Sequence, residues 1–252
     1  MTVYCMYFSP CGSTESIARE AAETLDPQCF PVNLTNRDCF FPTLTENDLV
    51  VVAGPVYGGR IPTPMSDKLA RMQGNGAKAL ALVVYGNRAY EDALLETVDL
   101  LSASGFKPIA AGAFIARHVF VPEVAADRPD ETDFAQIRKL SQDFAAKAQS
   151  GLTETIAVPG KRPYRDGMKT VFTPSVSMDD CRKCGICVNA CPTGAIDKTS
   201  PDKVDIGLCI NCMRCVECCA EGLRDLPEAA KNAIRTKLSP LIGVTKPNEI
   251  FV

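Results

Sequence analysis

Short apolar runs alternate with helix-period segments through the first 150 residues. Runs at 3–8, 30–34, 49–53, 79–85 and 109–115 have strand length and little internal polarity, as expected of strands buried on both faces. Between them, residues 13–25 repeat apolar side chains at helical spacing through Ile17, Ala18, Ala21, Ala22 and Leu25. Further helical stretches fall near 63–72, 91–104 and 134–148. Strand–helix alternation of this kind predicts an α/β fold, a doubly wound parallel sheet. Five strands favour the order 2-1-3-4-5, with a ligand at the switch point between strands 1 and 3.

The pattern then breaks. Residues 151–176 carry Gly and Pro without a sustained period and read as a linker. Residues 177–225 are dominated by cysteine. Residues 226–252 form a tail, with a helix beginning at Pro227 and ending near Leu238. The apolar ending KPNEIFV suits docking, with Phe251 expected near the ligand or the linker. Nothing in the chain reaches the length of a membrane span. The start MTVYCMYFSP lacks the layout of a signal peptide, so a cytoplasmic protein is expected. Net charge is −3, which gives no reason to expect nucleic acid as a partner.

Composition changes the picture at one residue type. Of 13 cysteines, nine lie between Cys181 and Cys219. An odd count in a chain of this kind points to metal, not to a disulfide framework. Cys181, Cys184, Cys187 and Cys191 follow C-x2-C-x2-C-x3-C, and Cys209, Cys212, Cys215 and Cys219 repeat it at a constant offset of 28 residues. Three thiolates in a tight loop wrap one [4Fe–4S] cube, and the fourth ligand comes from the other repeat. Cluster I is therefore assigned to Cys181, Cys184, Cys187 and Cys219, and cluster II to Cys209, Cys212, Cys215 and Cys191. The offset pairs Cys218 with Ala190, which argues against Cys218 as a ligand, and Ala220 replaces the proline that follows Cys191. Zinc would prefer two separated C-x2-C pairs. Residues 177–225 resemble the bacterial two-cluster ferredoxins, which implies a small α+β domain.

Three segments of the first domain carry a second chemistry. Residues 9–14, SPCGST, join strand 1 to a helix N-terminus, an anion site without a P-loop lysine. Residues 54–62 read GPVYGGRIP and residues 85–92 read YGNRAYED. In a switch-point fold these loops meet the first at one sheet edge. Together they resemble the loops of flavodoxins, which implies FMN. By that resemblance Ser9, Gly12, Ser13 and Thr14 hold the phosphate, with Pro10 and Cys11 in the same loop. Pro55, Val56, Tyr57, Gly58 and Gly59 line one side of the ring, and Tyr85, Gly86, Asn87, Arg88, Tyr90 and Asp92 the other. Tyr57 and Tyr90 are candidates to flank the ring. Arg60 and Arg88 are candidates to stabilise an anionic reduced flavin; a surface pairing of Arg88 with Glu91 or Asp92 is the alternative. Cys5, Cys29 and Cys39 read as small hydrophobes. Cys11, at a helix N-terminus, is a candidate for a lowered pKa. His118, the single histidine, reads as structural or exposed.

The whole order resembles the flavodoxin–ferredoxin fusion proteins of anaerobes, the EFR1 type. That resemblance implies an electron carrier coupling two-electron and one-electron redox partners through FMN and two [4Fe–4S] clusters. A reductase of a small molecule such as a quinone or nitro compound, and an electron-delivery subunit or redox sensor of a larger complex, stand as alternatives. The sequence names neither donor nor acceptor.

Overall fold

Alternation along each strand decides which helix covers which face of the sheet. The computed structural model describes all residues 1–252. Its first part runs β1 (Val3–Tyr7), α1 (Ser13–Leu25), β2 (Phe30–Asn33), β3 (Leu49–Pro55), α2 (Thr63–Ala70), β4 (Lys78–Tyr85), α3 (Ala93–Ala103), β5 (Lys107–Ile115) and α4 (Glu131–Gln149). Val50 and Val52 of β3 enter a core shared with Met65 and Leu69 of α2 and with Leu94 and Val98 of α3. Leu49, Val51 and Ala53 enter the opposite core, with Ile17 and Ala21 of α1 and Ile137 and Phe144 of α4. Both faces are thus buried, which explains why the strands read as continuous apolar runs.

β1, β2, β3, β4 and β5 are parallel, with Val3 opposite Leu49 and Leu49 opposite Lys78. Their order is β2-β1-β3-β4-β5, as expected, but the sheet has six strands and not five. The sixth, β6 (Glu249–Phe251), comes from the tail and pairs antiparallel with β5, Phe251 opposite Ala111 and Ile250 opposite Gly112. Phe251 therefore packs on the sheet core, against which Ile156 and Val158 of the linker also pack, and does not line the ligand cavity. A three-residue strand is too short for periodicity to announce. Side chains lock it in place: Asn248 Oδ1 accepts from the Ile115 N–H at 3.0 Å, and Asn248 Nδ2 donates to Asp133 at 2.6 Å. Asp133 also completes the capping box of α4 with Asp130 and pairs with Arg128.

Residues 151–176 hold no regular element but follow the first domain closely. The Ile156 N–H donates to the Pro108 carbonyl at 2.8 Å, and Ile156 and Val158 pack on the core. The cysteine-rich part contains two short helices, α5 (Ile186–Ala190) and α6 (Arg214–Glu217), and two isolated antiparallel bridges, Ile196 to Val204 and Ser175 to Asp225. Its own core is small: Val188, Cys191, Ala195 and Ile196. Helix α7 (Glu228–Leu238) then returns to the first domain, where Leu238 packs with Val121 and Val124. No helix is long and apolar enough to cross a membrane.

Candidate functional site

The carboxyl ends of β1, β3 and β4 open into one cavity of about 460 Å³, within the range of small-molecule sites. The β1–α1 loop supplies Ser9, Pro10, Cys11, Ser13 and Thr14 to its wall. Gly12 shapes this loop, with φ at +92°, and caps α1 without any side-chain hydrogen bond. The N–H groups of Ser13 and Thr14 at the start of α1 therefore have no side-chain competitor for an anion, whereas that of Glu15 does. Ser9 is committed internally: its hydroxyl accepts from the Glu15 N–H at 3.0 Å and its N–H donates to Thr35 Oγ1 at 2.7 Å.

The second loop contributes Pro55, Val56, Tyr57 and Gly58. Tyr57 and Arg60 close a tight turn, the Tyr57 N–H donating to the Arg60 carbonyl at 2.8 Å. Gly58 has φ at +63°, and a Cβ there would lie 2.8 Å from Met168 Cβ, so glycine lets the linker cross the turn. Gly59 lies behind the turn; its carbonyl accepts from the Asp92 N–H at 3.0 Å. The third loop contributes Tyr85, Gly86 and Arg88.

Three expected ligand residues face elsewhere. Tyr90 stands edge-on to Tyr85, centroids 5.5 Å apart, and its hydroxyl donates to Glu249 of β6 at 2.6 Å. It does not line the cavity, so it is a core anchor and not a ring-flanking side chain. Asn87 is 1% exposed, and its Nδ2 donates to the Val244 carbonyl at 2.7 Å. Asp92 accepts from the N–H groups of Lys161 and Arg165, at 2.9 and 2.8 Å. The Arg165 N–H, against some burial, holds its carboxyl below the usual range. All three fix the tail or the linker to the third loop.

Arg60 is likewise diverted. Its Nε and Nη2 donate to both oxygens of Glu96, at 2.7 and 2.8 Å, and it lies 4.7 Å from the Tyr164 ring centroid. Arg88 does line the cavity and also pairs with Glu91, at 3.1 and 2.8 Å. Arg88, Arg117, Arg165, Lys169 and Lys237 give the wall its charge, against a single carboxylate, Asp166. A negative charge developing on a ligand here meets a net positive surround.

Sequence reasoning missed the far walls. The linker adds residues 165–169, Val171 and Phe172, α7 adds Ile234, Lys237 and Leu238, and the segment after β5 adds residues 116–120. An apolar cluster in the linker, Met168, Val171 and Phe172, was the available signal. His118 is part of this wall. Burial, aided by Arg88, pushes it down to about 4, and its Nδ1 accepts from the Phe120 N–H at 3.2 Å. The ring is therefore neutral at pH 7, with its proton on Nε2.

The eight expected cluster cysteines separate into the two expected quartets. Cys181, Cys184, Cys187 and Cys219 line a cavity of about 250 Å³. Cys191, Cys209, Cys212 and Cys215 line a tighter one of about 20 Å³. Backbone N–H groups face the sulfurs: Ala195 N–H donates to Cys191 Sγ at 3.3 Å and Lys183 N–H to Cys181 Sγ at 3.4 Å. Cys219 feels some burial, but the N–H groups of Leu223, Arg224, Glu221 and Gly222 bring its thiol below the ordinary value. Burial, with Cys187 nearby, raises that of Cys218. Cys219 lines the first cavity and Cys218 does not.

The two sites touch. Asn211 and Cys212 complete the wall of the large cavity. Cys11 Sγ donates to the Cys212 carbonyl at 3.1 Å. This contact also reverses the expectation for Cys11: although the residue is exposed, the second domain packed around its sulfur, with Glu217 near, raises its thiol above the ordinary value.

Residues 4–92 match a family model described as a flavodoxin domain, and residues 174–197 match a 4Fe-4S binding domain. Over 69 residues, 27% of this chain, the sequence is 35% identical to pyruvate synthase subunit PorD of Methanothermobacter marburgensis, covering 83% of that protein. Among solved structures, a flavodoxin from the domain Archaea covers 59% of this chain and 99% of its own, at 16% identity and a TM-score of 0.42. Oxidised flavodoxin 2 from Bacillus cereus covers 58% and 99%, at 16% identity and a TM-score of 0.44. The chain belongs to the proteins that join a flavodoxin domain to a 4Fe-4S ferredoxin motif. The first domain implies FMN and the motif implies iron–sulfur clusters; the large cavity suits FMN in size and polarity, and the thiol quartets suit iron–sulfur clusters in their donor set.

Proposed function

We propose that this chain is an electron-transfer iron–sulfur flavoprotein of the EFR1 type, passing electrons between FMN and two [4Fe–4S] clusters. The observation that carries the proposal is the shared wall: the quartet of Cys191, Cys209, Cys212 and Cys215 abuts the flavin cavity through Cys212. FMN supplies two-electron chemistry and a cubane one-electron chemistry. The protein's own contribution is position and charge. Ser13, Thr14 and the start of α1 hold the phosphate, Tyr57, Gly58, Gly86 and Arg88 enclose the ring, and His118 offers a neutral N–H donor to it. The second quartet is the near cluster and the first the far one. Cys184, of the far quartet, is exposed, and the neighbouring Ile186 is 45% exposed. A redox protein therefore meets the far cluster, and electrons cross the near one to or from the flavin.

The test is anaerobic purification followed by flavin and iron counts and an EPR-monitored redox titration. One FMN and about eight irons per chain, with magnetic coupling between the flavin and one cluster, support the proposal. About four irons, or no flavin after reconstitution, sink it. Steady turnover of a quinone or nitroaromatic by the purified chain alone would replace the carrier by a reductase.

A further inference from the structure

The 28-residue duplication places Arg224 opposite Ile196 of the first repeat. The backbone keeps the correspondence: Gly194 and Gly222, two residues earlier in each repeat, have φ at +70° and +62°. Ile196 is 4% exposed and packs against Cys191 as an ordinary apolar cover. Its counterpart is a guanidinium that is 2% exposed. Arg224 makes no ion pair. Its Nη1 and Nη2 both donate to the Pro201 carbonyl, at 2.7 and 2.8 Å, and its Nε is buried without a partner.

A buried cation without a carboxylate is strongly unfavourable unless another anion compensates it. The anions within reach are the sulfurs of the first quartet. Arg224 lines the cavity of the first quartet. Where the first repeat excludes water with a hydrocarbon, the second does so with a fixed positive charge.

We propose that Arg224 is the internal counter-charge of the cluster held by Cys181, Cys184, Cys187 and Cys219, placed to make that cluster easier to reduce. The inference rests on the two-cluster reading above. Each one-electron reduction adds a negative charge beside a cation that cannot lose its proton. The surrounding low dielectric magnifies the effect, because little water is present to screen it.

The test compares Arg224→Ile, which copies the first repeat, with Arg224→Lys, which keeps the charge. Iron is counted per chain, and both clusters are titrated anaerobically with dithionite and mediators under EPR. In R224I the ratio of reduced to oxidised first cluster at a fixed potential should fall at least tenfold, a 59 mV shift for a one-electron couple, and R224K should move much less. Iron lost from R224I but retained by R224K supports the same role. Wild-type potentials in R224I, equal shifts in the two variants, or equal iron loss from both overturn it. An iron count near zero in the wild-type chain overturns the two-cluster reading together with this one, whereas a full wild-type count with unresponsive variants overturns only this one.

Discussion

The Cys11 thiol donates to the backbone oxygen of Cys212 at 3.1 Å, bridging 201 residues of sequence. One partner sits in the phosphate loop and the other in the near cluster loop. Replacing Cys11 by Ala removes a hydrogen bond worth about 1 kcal/mol, which loosens this docking about fivefold. Flavin reduction by pre-reduced clusters, followed by anaerobic stopped flow, should slow in C11A while FMN affinity stays near wild type. An unchanged rate would show that the contact does not hold the two sites in register.

The third flavin loop is held from behind. Asn87, Tyr90 and the Arg88 carbonyl all bond to residues 244–249. Removing residues 244–252 strips these bonds and uncovers β5. About 2–3 kcal/mol of lost loop organisation corresponds to an FMN affinity weaker by one to two orders of magnitude, read by quenching of flavin fluorescence. Tyr90→Phe alone should lower thermal stability without altering the flavin absorption spectrum, because the ring does not line the cavity.

Arg60 and Arg88 occupy adjacent loops but should respond in opposite ways. R60A leaves Glu96, itself 5% exposed, without its partner. Its stability should fall by about 2 kcal/mol, a value below that of a fully buried pair because Arg60 is partly exposed. The flavin potential should hold. R88A removes a cation from the cavity wall and should lower the potential of the reduced flavin. Urea unfolding and a flavin redox titration on both variants give the crossed result.

His118 links stability to acidity. Its folded value is about 4, lowered by burial and then by Arg88, against about 6.5 unfolded. Between those values the unfolded chain binds the extra proton. The stability from a neutral His118 is therefore complete above about pH 6.5 and is lost as pH falls toward 4, by about 2 kcal/mol after allowing for partial exposure. Urea midpoints measured from pH 7 to pH 4.5 should fall more steeply for the wild-type chain than for His118→Gln.

Adjacent thiols should separate cleanly. Cys218→Ser should leave the iron count unchanged, whereas Cys219→Ser should lose about one cluster's worth, or about half the iron. A reversed result would move the far ligand by one position.

What the residues disclosed in advance follows the range of the forces involved. Both cysteine quartets were legible because ligand spacing is a local demand written directly in sequence. The β1–α1 loop, Tyr57, Gly58, Gly86 and Arg88 were legible because one topology brings three loop ends together. Tyr90, Asn87 and Asp92 lie in the same loop but were misplaced, since their partners belong to the tail and linker, which carry no period. β6 escaped for the same reason. Arg224, which stands opposite Ile196 across the 28-residue offset, went unnoticed in the sequence, because only its burial turns that substitution into chemistry.

β6 has a mechanical meaning. The cluster-bearing segment leaves the sheet by a strap pinned to Asp92 and returns through α7 to an added strand on β5. A body hung from a single tether can pivot, and its electron traffic then waits on each swing. Anchored at both ends, this one is held against the flavin cavity, so on the proposed function transfer would be set by distance and driving force and not by a hinge.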